Sequence, residues 1–413
     1  MEEPTRQEVH AKEKSSVSKN DDGTAQISEN ALDSSIDLNY DVLRIIFEYL
    51  NGRNLASAAM VCKSWLEAAN EEKWTRGPCC FKFQQYTQYN NFVYIPSEFI
   101  DSIRDIRIKP SAGFFFIPDE VIPTGIKVIV EALLPKNCEI IILGTNNIII
   151  GEKMIHYSSA NMVCAFLPQI PNVRVKSFKI PENCIIRKTA EYQEIISTIV
   201  NNETSTSNHE TCFMLFCNLW GRSRAKRWAS TIRERLSKEN EIISVWGGVV
   251  KDLYAQRAHT GLCKGQKRRF EFFEMHYYYT PRCFAVLITG SVQTWSTILE
   301  RKCNTKELIE ARLKLFKDKV KLKKHSIGFT FMSPQCGADI HDKINEESIA
   351  FKRLFPKVPL VGLVGDDEFC GVFGKTTAVD EVNEERNDKK KQNCEKSKSW
   401  FNDSTVFLIL TYG

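Results

Sequence analysis

The sequence has no long apolar run and no secretory signal, and each absence excludes a class of protein. No stretch approaches the roughly 18 consecutive apolar residues that a membrane-spanning helix needs, so we expect no contact with a membrane. Residues 1–30 lack the apolar core of a signal peptide. They are polar and poor in aliphatic side chains, which predicts a disordered N-terminal tail over 1–30. We therefore expect an intracellular protein of the cytoplasm, the nucleus or both.

Cysteine pairs with CxxC spacing are also absent, although the chain has 14 cysteines. Zinc modules bring four ligands onto one ion through CxxC-type pairs, so we expect no metal site. Most of the cysteines lie in apolar runs, where a cysteine usually acts as a small buried hydrophobic side chain. Without secretion, disulfides are not expected either. The sequence predicts reduced thiols.

Motifs for catalysis are missing as well. The chain contains no phosphate-binding loop, nucleophile elbow or zinc-protease helix. His156, His259 and His276 lack the neighbouring carboxylates or cysteines that would indicate a general base or a ligand. We expect no catalytic residue and no cofactor, and hence a protein that is not an enzyme.

The formal net charge of +5 over 413 residues gives no general argument for a nucleic-acid partner, and we expect none. The basic run at 264–269 leaves alternatives open because aromatic residues follow it. Such interleaving is found on nucleic-acid-binding surfaces, and a short basic run is also typical of nuclear targeting. We favour a charged turn between strands, with the aromatic residues as core or cross-strand partners.

Beyond residue 75 the pattern changes from helical to mixed. The 43% hydrophobic and 26% charged residues are globular values, and 413 residues are enough for two or more domains. A strand over 212–219, a helix over 223–238 and a strand over 241–250 outline an α/β unit. Residues 327–364 repeat the order of strand, helix and strand. The sequence therefore predicts an α/β body with mixed sheets.

Several shorter runs in this body also predict strands. The run at 103–110 has β-branched residues and ends at proline, and the runs at 140–143 and 148–150 are separated by turn residues typical of a hairpin. The segment 378–400 is charged and almost free of aliphatic residues, which predicts a disordered loop. The run at 404–411 is apolar on both faces, so we expect this last strand to pair within the body.

Residues 38–74 carry two helical patterns in succession. Asn51 and Gly52 predict the end of the first helix, and Asn54 the N-cap of a second helix over 55–69. Chains below roughly 40 residues rarely fold alone, so part of this apolar surface should meet a partner or the body. We expect only the far end, near Trp74, to pack on the body. The apolar stripe of the first helix consists of Val42, Leu43, Ile46, Phe47 and Leu50.

This segment resembles an F-box, the helical module with which substrate receptors dock on the Skp adaptor of SCF ubiquitin ligases. One difference is Asn39, where F-boxes usually have a proline that suits a helix start. The alternative interpretation is an ordinary buried helical hairpin. The resemblance is carried by Leu38, Asp41-Val42-Leu43, Ile46-Phe47, Tyr49-Leu50, Leu55, Val61-Cys62-Lys63-Ser64-Trp65 and Trp74. It implies adaptor binding through Leu38, Val42, Leu43, Ile46, Phe47, Leu50, Leu55, Val61, Cys62 and Trp65.

The body resembles a FIST domain, an α/β module known from bacterial signalling proteins and proposed there to bind small ligands. Ala338 stands where we expect an arginine for a ligand carboxylate. Glycines at strand ends allow close backbone approach or positive φ. The resemblance is carried by Pro135-Lys136, Trp246-Gly247-Gly248, Ser326-Ile327-Gly328-Phe329, Cys336-Gly337, Glu347, Ala350-Phe351 and Phe355-Pro356. It implies a cleft formed by Gly247, Gly248, Ser333, Cys336, Gly337, Gly362, Gly365 and Asp366.

An F-box followed by FIST halves is the architecture of the F-box only protein 22 family, to which the chain is similar. The resemblance implies a small all-α F-box over 35–76 and an α/β FIST-like body in two halves, 90–200 and 210–413. It further implies a substrate receptor whose partners are the Skp adaptor, the cullin scaffold and an unknown target protein. The alternative is a module that senses a small ligand, with the F-box as an interaction appendage.

Overall fold

The structure of the protein is a computed structural model. It describes residues 39–84, 87–89, 92–94, 96–118, 122, 124–156, 161–181, 185–202, 210–237, 243–256, 282–300, 302–333, 340–365, 372–374, 400–401 and 404–413. The predicted tail over 1–30 and the basic run at 264–269 lie outside these ranges. So does nearly all of the predicted loop over 378–400, although its last residue, Trp400, begins a short strand.

Nine α-helices and 19 strands lie within the described ranges. The helices are α1 Tyr40–Glu48, α2 Gly52–Ala58, α3 Lys63–Thr75, α4 Ser97–Arg104, α5 Thr124–Leu133, α6 Ala190–Asn202, α7 Arg222–Ser237, α8 Lys306–Lys319 and α9 Ile340–Leu354. The strands are β1 Cys79–Gln84, β2 Thr87–Tyr89, β3 Phe92–Tyr94, β4 Pro110–Ile117, β5 Glu139–Gly144, β6 Asn147–Ile150, β7 Lys153–His156, β8 Asn161–Pro168, β9 Val173–Lys179, β10 Glu210–Cys217, β11 Ile243–Val249, β12 Asp252–Gln256, β13 Cys283–Gly290, β14 Gln293–Leu299, β15 His325–Met332, β16 Leu360–Val364, β17 Val372–Gly374, β18 Trp400–Phe401 and β19 Thr405–Tyr412.

Three mixed sheets form the body. Sheet 1 has the order β1-β8-β4-β5-β12, sheet 2 the order β9-β13-β10-β11-β17-β18, and sheet 3 the order β14-β19-β15-β16-β6-β7. Each sheet has one parallel pair at its centre, formed by β4 and β5, by β10 and β11, or by β15 and β16. A helix connects the two strands of each pair, as a parallel connection requires. The other pairings in these sheets are antiparallel.

The order of these elements shows that the body consists of three repeats, over residues 79–168, 173–290 and 293–412. Each repeat begins with an edge strand, a helix, a central strand, a second helix and a second central strand. One or two exchanged strands follow, which pair in the sheet of another repeat, and then a return strand, which pairs in the sheet of its own repeat. The return strands β8, β13 and β19 pair with the first central strand of their own repeat. The small β2–β3 ribbon is an addition to the first repeat.

The exchanged strands link the repeats in a ring. β6 belongs to the first repeat but pairs with β16 in sheet 3. β17 belongs to the third repeat but pairs with β11 in sheet 2. β12 leaves the second repeat and pairs with β5 in sheet 1, which closes the ring. No repeat therefore completes its own sheet without a strand from another repeat.

The inner faces of the three sheets share one apolar core. Phe329 on β15 contacts a ring from each of the other two repeats, Phe114 on β4 and Trp246 on β11, with both centroid distances at 5.2 Å. All three side chains are fully buried. Edge-on and tilted aromatic contacts of this kind add to the free energy of burial. The centre of the body is thus built jointly by the three repeats.

Two helices cover the outer face of each sheet. α4 and α5 pack on sheet 1, α6 and α7 on sheet 2, and α8 and α9 on sheet 3, each over a separate apolar cluster. Burial on both faces explains why the central strands are continuous apolar runs without alternation. β19, for example, is buried along its whole length.

These findings confirm an α/β body with mixed sheets behind a small helical segment. The predicted strand–helix–strand units correspond to β10-α7-β11 and β15-α9-β16, and the last strand pairs with β14 and β15 as expected. The predicted hairpin is wrong, because β5 and β6 belong to different sheets. The predicted strand over 103–110 is also wrong, since its first residues end helix α4.

The division of the body into halves at 90–200 and 210–413 stays a prediction. Strand pairing does not follow that division. β9 from the first range pairs with β13 from the second, and β6 from the first range pairs with β16.

We expect Phe329→Ala to destabilise the whole body by about 3–5 kcal/mol, the usual cost of removing a fully buried phenylalanine. The Phe329 ring belongs to the third repeat and contacts the other two, so the body should unfold in a single transition. The urea concentration at the midpoint of that transition, measured by circular dichroism, should be lower in the variant. Leu315→Ala on the exposed face of α8 serves as a control and should change stability by less than about 0.5 kcal/mol. Separate transitions for the three ranges would contradict a shared core.

Candidate functional site

The N-terminal segment forms three helices where two were predicted. Asn51 caps α2 by accepting a hydrogen bond from the Asn54 backbone N–H at 2.8 Å. Gly52 therefore begins α2 and does not end α1, and Asn54 is not the cap. The predicted second helix is divided into α2 and α3, with Cys62 in an extended conformation before α3.

Gly52 is required because the body lies against the start of α2. A Cβ atom at this position would stand 2.3 Å from the Ile108 carbonyl oxygen. The Gly52 N–H also donates a hydrogen bond to the Ile106 carbonyl at 2.8 Å. Only a residue without a side chain permits this approach.

Asn39 compensates for the proline that is absent at the start of α1. It occupies the N-cap, and its side-chain oxygen accepts a hydrogen bond from the Asp41 N–H at 3.3 Å. A capping side chain satisfies one of the backbone donors that a helix start leaves without a partner.

The predicted adaptor-binding residues divide into an inner and an outer set. Leu43, Phe47 and Leu55 are buried between the three helices, and Phe47 contacts the half-buried Trp65 with ring centroids 5.3 Å apart. Leu50 is also half-buried. These side chains hold the helices together. These side chains are therefore part of the small core of the segment, whether or not a partner is bound.

The outer set lies on the surface. Val42, Ile46, Val61 and Cys62 are exposed, and Leu38 lies outside the described residues. Whether these residues bind an adaptor stays a prediction. The predicted adaptor-binding set does not contain four other exposed apolar residues of the segment, namely Ile45, Tyr49, Met60 and Leu66.

The residues outside the predicted set reveal that α1 has two apolar stripes. Val42, Ile45, Ile46 and Tyr49 follow the i, i+3, i+4, i+7 spacing of one helix face, and Tyr49 is 82% exposed. The inner stripe, with Leu43 and Phe47, lies on another side of the same helix. An exposed apolar helix face of this kind is typical of an interaction site. We call the residues Val42, Ile45, Ile46, Tyr49, Met60, Val61 and Leu66 the outer apolar surface.

Arg76, at the end of α3, ties the helical segment to the body. Its guanidinium donates hydrogen bonds to the carbonyl oxygens of Phe47, at 2.6 Å, and of Arg107 in the body. It also forms an ion pair with Glu72 at 2.8 Å, and Arg76 is buried. Buried guanidinium groups are stable only where their donors are satisfied in this way.

Further contacts attach the segment at both ends. Arg53 on α2 donates to the Leu133 carbonyl at 2.7 Å. The His325 ring nitrogen lies 2.9 Å from the Trp74 carbonyl oxygen. Arg107 in the body also donates a hydrogen bond to the Glu48 carbonyl at the end of α1. The expectation that only the region near Trp74 packs on the body is therefore wrong, because the start of α2 and the end of α1 contact it as well.

Three of the predicted cleft residues, Gly247, Gly248 and Gly362, lie inside strands of sheets 2 and 3. The expectation that these glycines stand at strand ends is therefore wrong. Gly247 has a φ of +139°, and a Cβ atom there would lie 2.0 Å from the Leu215 carbonyl oxygen. A Cβ atom at Gly362 would lie 2.0 Å from the Thr330 carbonyl oxygen. The expected close backbone approach is therefore confirmed at both glycines. Gly248 lies next to Gly247 on β11 and pairs with Val372.

Two other members of this set lie at the carboxyl ends of strands. The Gly365 N–H donates to the Met332 carbonyl at 2.8 Å, and the Ser333 N–H donates to the Ser404 carbonyl at 2.9 Å. The end of β11 also lies close to Gly365, because a Cβ atom at Gly365 would stand 2.8 Å from the Val249 carbonyl oxygen. Cys336, Gly337 and Asp366 lie outside the described residues. A binding role for the set stays a prediction.

Other kinds of site have no support in the described ranges. There, no three histidine, cysteine or acidic side chains are arranged to hold a metal ion. No helix in those ranges combines the length and apolar content needed to cross a membrane. Burial raises the pKa of the Cys217 thiol to about 12, so this cysteine is a poor nucleophile near neutral pH.

Comparison with known protein families supports the interpretation of the helical segment. An F-box-like family model matches residues 40–77, which comprise α1, α2 and α3 together with Arg76. The prediction of an F-box-like segment is confirmed to this extent. A search of curated proteins found no match to the chain.

We expect Arg76→Ala to cost about 3 kcal/mol, because it removes the nearest ion-pair partner of the largely buried Glu72 carboxylate and a guanidinium donor from two carbonyl oxygens. The loss should appear as faster hydrogen exchange in α1, α2 and α3. Lys63→Ala is the matched control, since Lys63 and Glu67 form an exposed ion pair with the same i,i+4 spacing on α3. This control should have almost no effect. Equal exchange in both variants would show that Arg76 does not hold the segment.

Proposed function

We propose that the chain is a substrate receptor of an SCF-type ubiquitin ligase. The F-box-like segment docks on the Skp adaptor, which connects the chain to the cullin scaffold. The body captures a target protein for ubiquitination and degradation by the proteasome. The observation that carries the proposal is the outer stripe of α1, an apolar helix face that the described part of the chain leaves exposed.

The outer apolar surface offers seven exposed side chains to a partner. Apolar and aromatic side chains at the centre of an interface each contribute on the order of 2 kcal/mol. The inner stripe is already buried by α2 and α3, so a partner reaches the outer residues without unfolding the segment. An ordinary buried helical hairpin would not explain Tyr49 and Met60, which are 82% and 80% exposed.

In this proposal the chain contributes proximity, and the chemistry belongs to the ubiquitin-conjugating enzyme. A receptor raises the effective concentration of target lysines near that enzyme. The Arg76 contacts support the role because they join the docking segment to the body that would hold the target. The chain itself would be non-catalytic and would act in the cytoplasm, the nucleus or both.

Similarity to the F-box only protein 22 family and its FIST halves is a further part of the proposal. It is supported by the resemblance of the residues around these glycines and by the close backbone contacts of Gly247 and Gly362. Small-ligand sensing has less support. The two glycines lie within packed strands, and an arginine for a ligand carboxylate is missing where Ala338 stands.

The test is co-purification of the full chain with the Skp adaptor. We expect the combined substitutions Val42→Ala, Ile46→Ala and Val61→Ala to weaken adaptor binding at least about a hundredfold, since three anchors are truncated at once. Stability should be nearly unchanged because all three side chains are exposed.

The matched control replaces two exposed leucines on α8, Leu308→Ala and Leu315→Ala, and should leave adaptor binding intact. Substitutions at Leu43 or Phe47 are avoided, because they would unpack the helices and mimic a lost contact. Undiminished co-purification of the outer-surface variant would overturn the proposal.

A further inference from the structure

A groove lies between the helical segment and the body. Its cavity volume is about 990 Å³. One wall is formed by α2 and α3, and the other by β9 and α6, with the turn between β8 and β9 at its end. Residues from each part include Ala56, Lys73, Lys109, Ile170, Arg174 and Glu194. A space of this size accommodates a short stretch of polypeptide.

The free edge of β9 borders this groove. β9 is the outermost strand of sheet 2 and pairs with β13 on one side only, within the part of the chain that the structure describes. Residues 173–176 of β9 are half-buried or exposed and line the groove. An edge strand presents backbone donors and acceptors that can pair with another extended chain.

The side chains around this edge are apolar on the inner face. Val173, Val175 and Ile170 are partly buried and pack against the shared core. An extended chain beside β9 would place every second side chain over these residues, because side chains alternate between the faces of a strand.

Positive charge surrounds the groove from three elements. Lys73 comes from α3, Lys109 from the segment before β4, and Arg174 from β9. Within the described ranges, Lys109 and Arg174 form no ion pair with a carboxylate. Partial burial lowers the pKa of the Lys73 ammonium group, and the nearby charge of Lys109 lowers it further. An incoming carboxylate would relieve this repulsion.

The two carboxylates that line the groove do not neutralise these three cations. Glu139 is buried and accepts a hydrogen bond from the Ser177 hydroxyl at 2.6 Å. Glu194 forms an ion pair with Lys176 on β9. The remaining charge of the groove is therefore positive and complementary to an acidic chain.

We propose that this groove binds an extended acidic segment of the target protein, which adds to sheet 2 as a strand beside β9. Its acidic side chains would face Lys73, Lys109 and Arg174, and the alternate side chains would contact Val173 and Val175. The identity of the segment as part of a ubiquitination target rests on the proposed function, but the binding of an acidic strand does not.

The experiment measures binding to the full chain by fluorescence polarisation. The probe is a labelled eight-residue peptide that alternates glutamate and valine, and its counterpart has lysine in place of glutamate. We expect the glutamate peptide to bind, with an affinity that falls as salt is added, and the lysine peptide to bind at least roughly tenfold more weakly. No saturable binding of the glutamate peptide would overturn the proposal.

Variants locate the binding to the groove. Lys109→Glu combined with Arg174→Glu should lower the affinity for the glutamate peptide at least roughly tenfold. The matched control, Lys314→Glu combined with Lys317→Glu, reverses two exposed lysines on α8 and should have no effect. Equal effects of the two double variants would overturn the proposal. So would a change in oligomeric state caused by the groove variant alone, because a second copy of the chain would then be the occupant.

Backbone pairing is tested with two N-methylated forms of the glutamate peptide, methylated at even or at odd positions. One form should bind like the parent and the other should not, because only alternate N–H groups of an added strand face β9. Equal binding of both forms would overturn strand addition. Adaptor binding by the groove variant should be unchanged, so failure here and failure of the outer apolar surface are distinguishable.

Discussion

The structure depends on the exchange of strands between its three repeats. Each parallel pair of central strands is flanked on one side by a strand from its own repeat and on the other by a strand from a different repeat. The exchange leaves no repeat with a complete sheet of its own. It also covers one edge of each central pair, which would otherwise be open to pairing with other chains. The shared aromatic centre, where Phe329 meets Phe114 and Trp246, is possible only because the three inner faces converge.

The helical segment is governed by a different constraint, which is that α1 is apolar on two sides. Its inner stripe is buried by α2 and α3, and this burial lets a segment of fewer than 40 residues form a small core. Its outer stripe has no counterpart in the described part of the chain. The ties through Arg76 and Gly52 then orient that outer stripe relative to the body. The same ties create the groove, because they place α2 and α3 opposite the edge of β9.

Local structure could largely be predicted from residue patterns. The helices α7 and α9 and the strands β10, β11, β15, β16 and β19 were predicted because their apolar spacing and flanking residues indicate helices and strands clearly. The pairing of β5 and β6 could not be predicted. Gly144, Thr145 and Asn146 are turn residues whether the chain folds back on its own strand or crosses to another sheet. The threefold repetition was missed for a related reason, since it is carried by topology and not by repeated residues.

For the candidate site, the sequence by itself determined the residue types of an F-box-like segment and the existence of an apolar stripe on its first helix. It also determined that glycines in the body would permit close backbone contact, as Gly247 and Gly362 do. Only the tertiary structure decided which apolar residues of α1 face inward and which face outward. The physical reason is that periodicity shows how side chains are grouped on a helix, whereas the burial of each group depends on what packs against it.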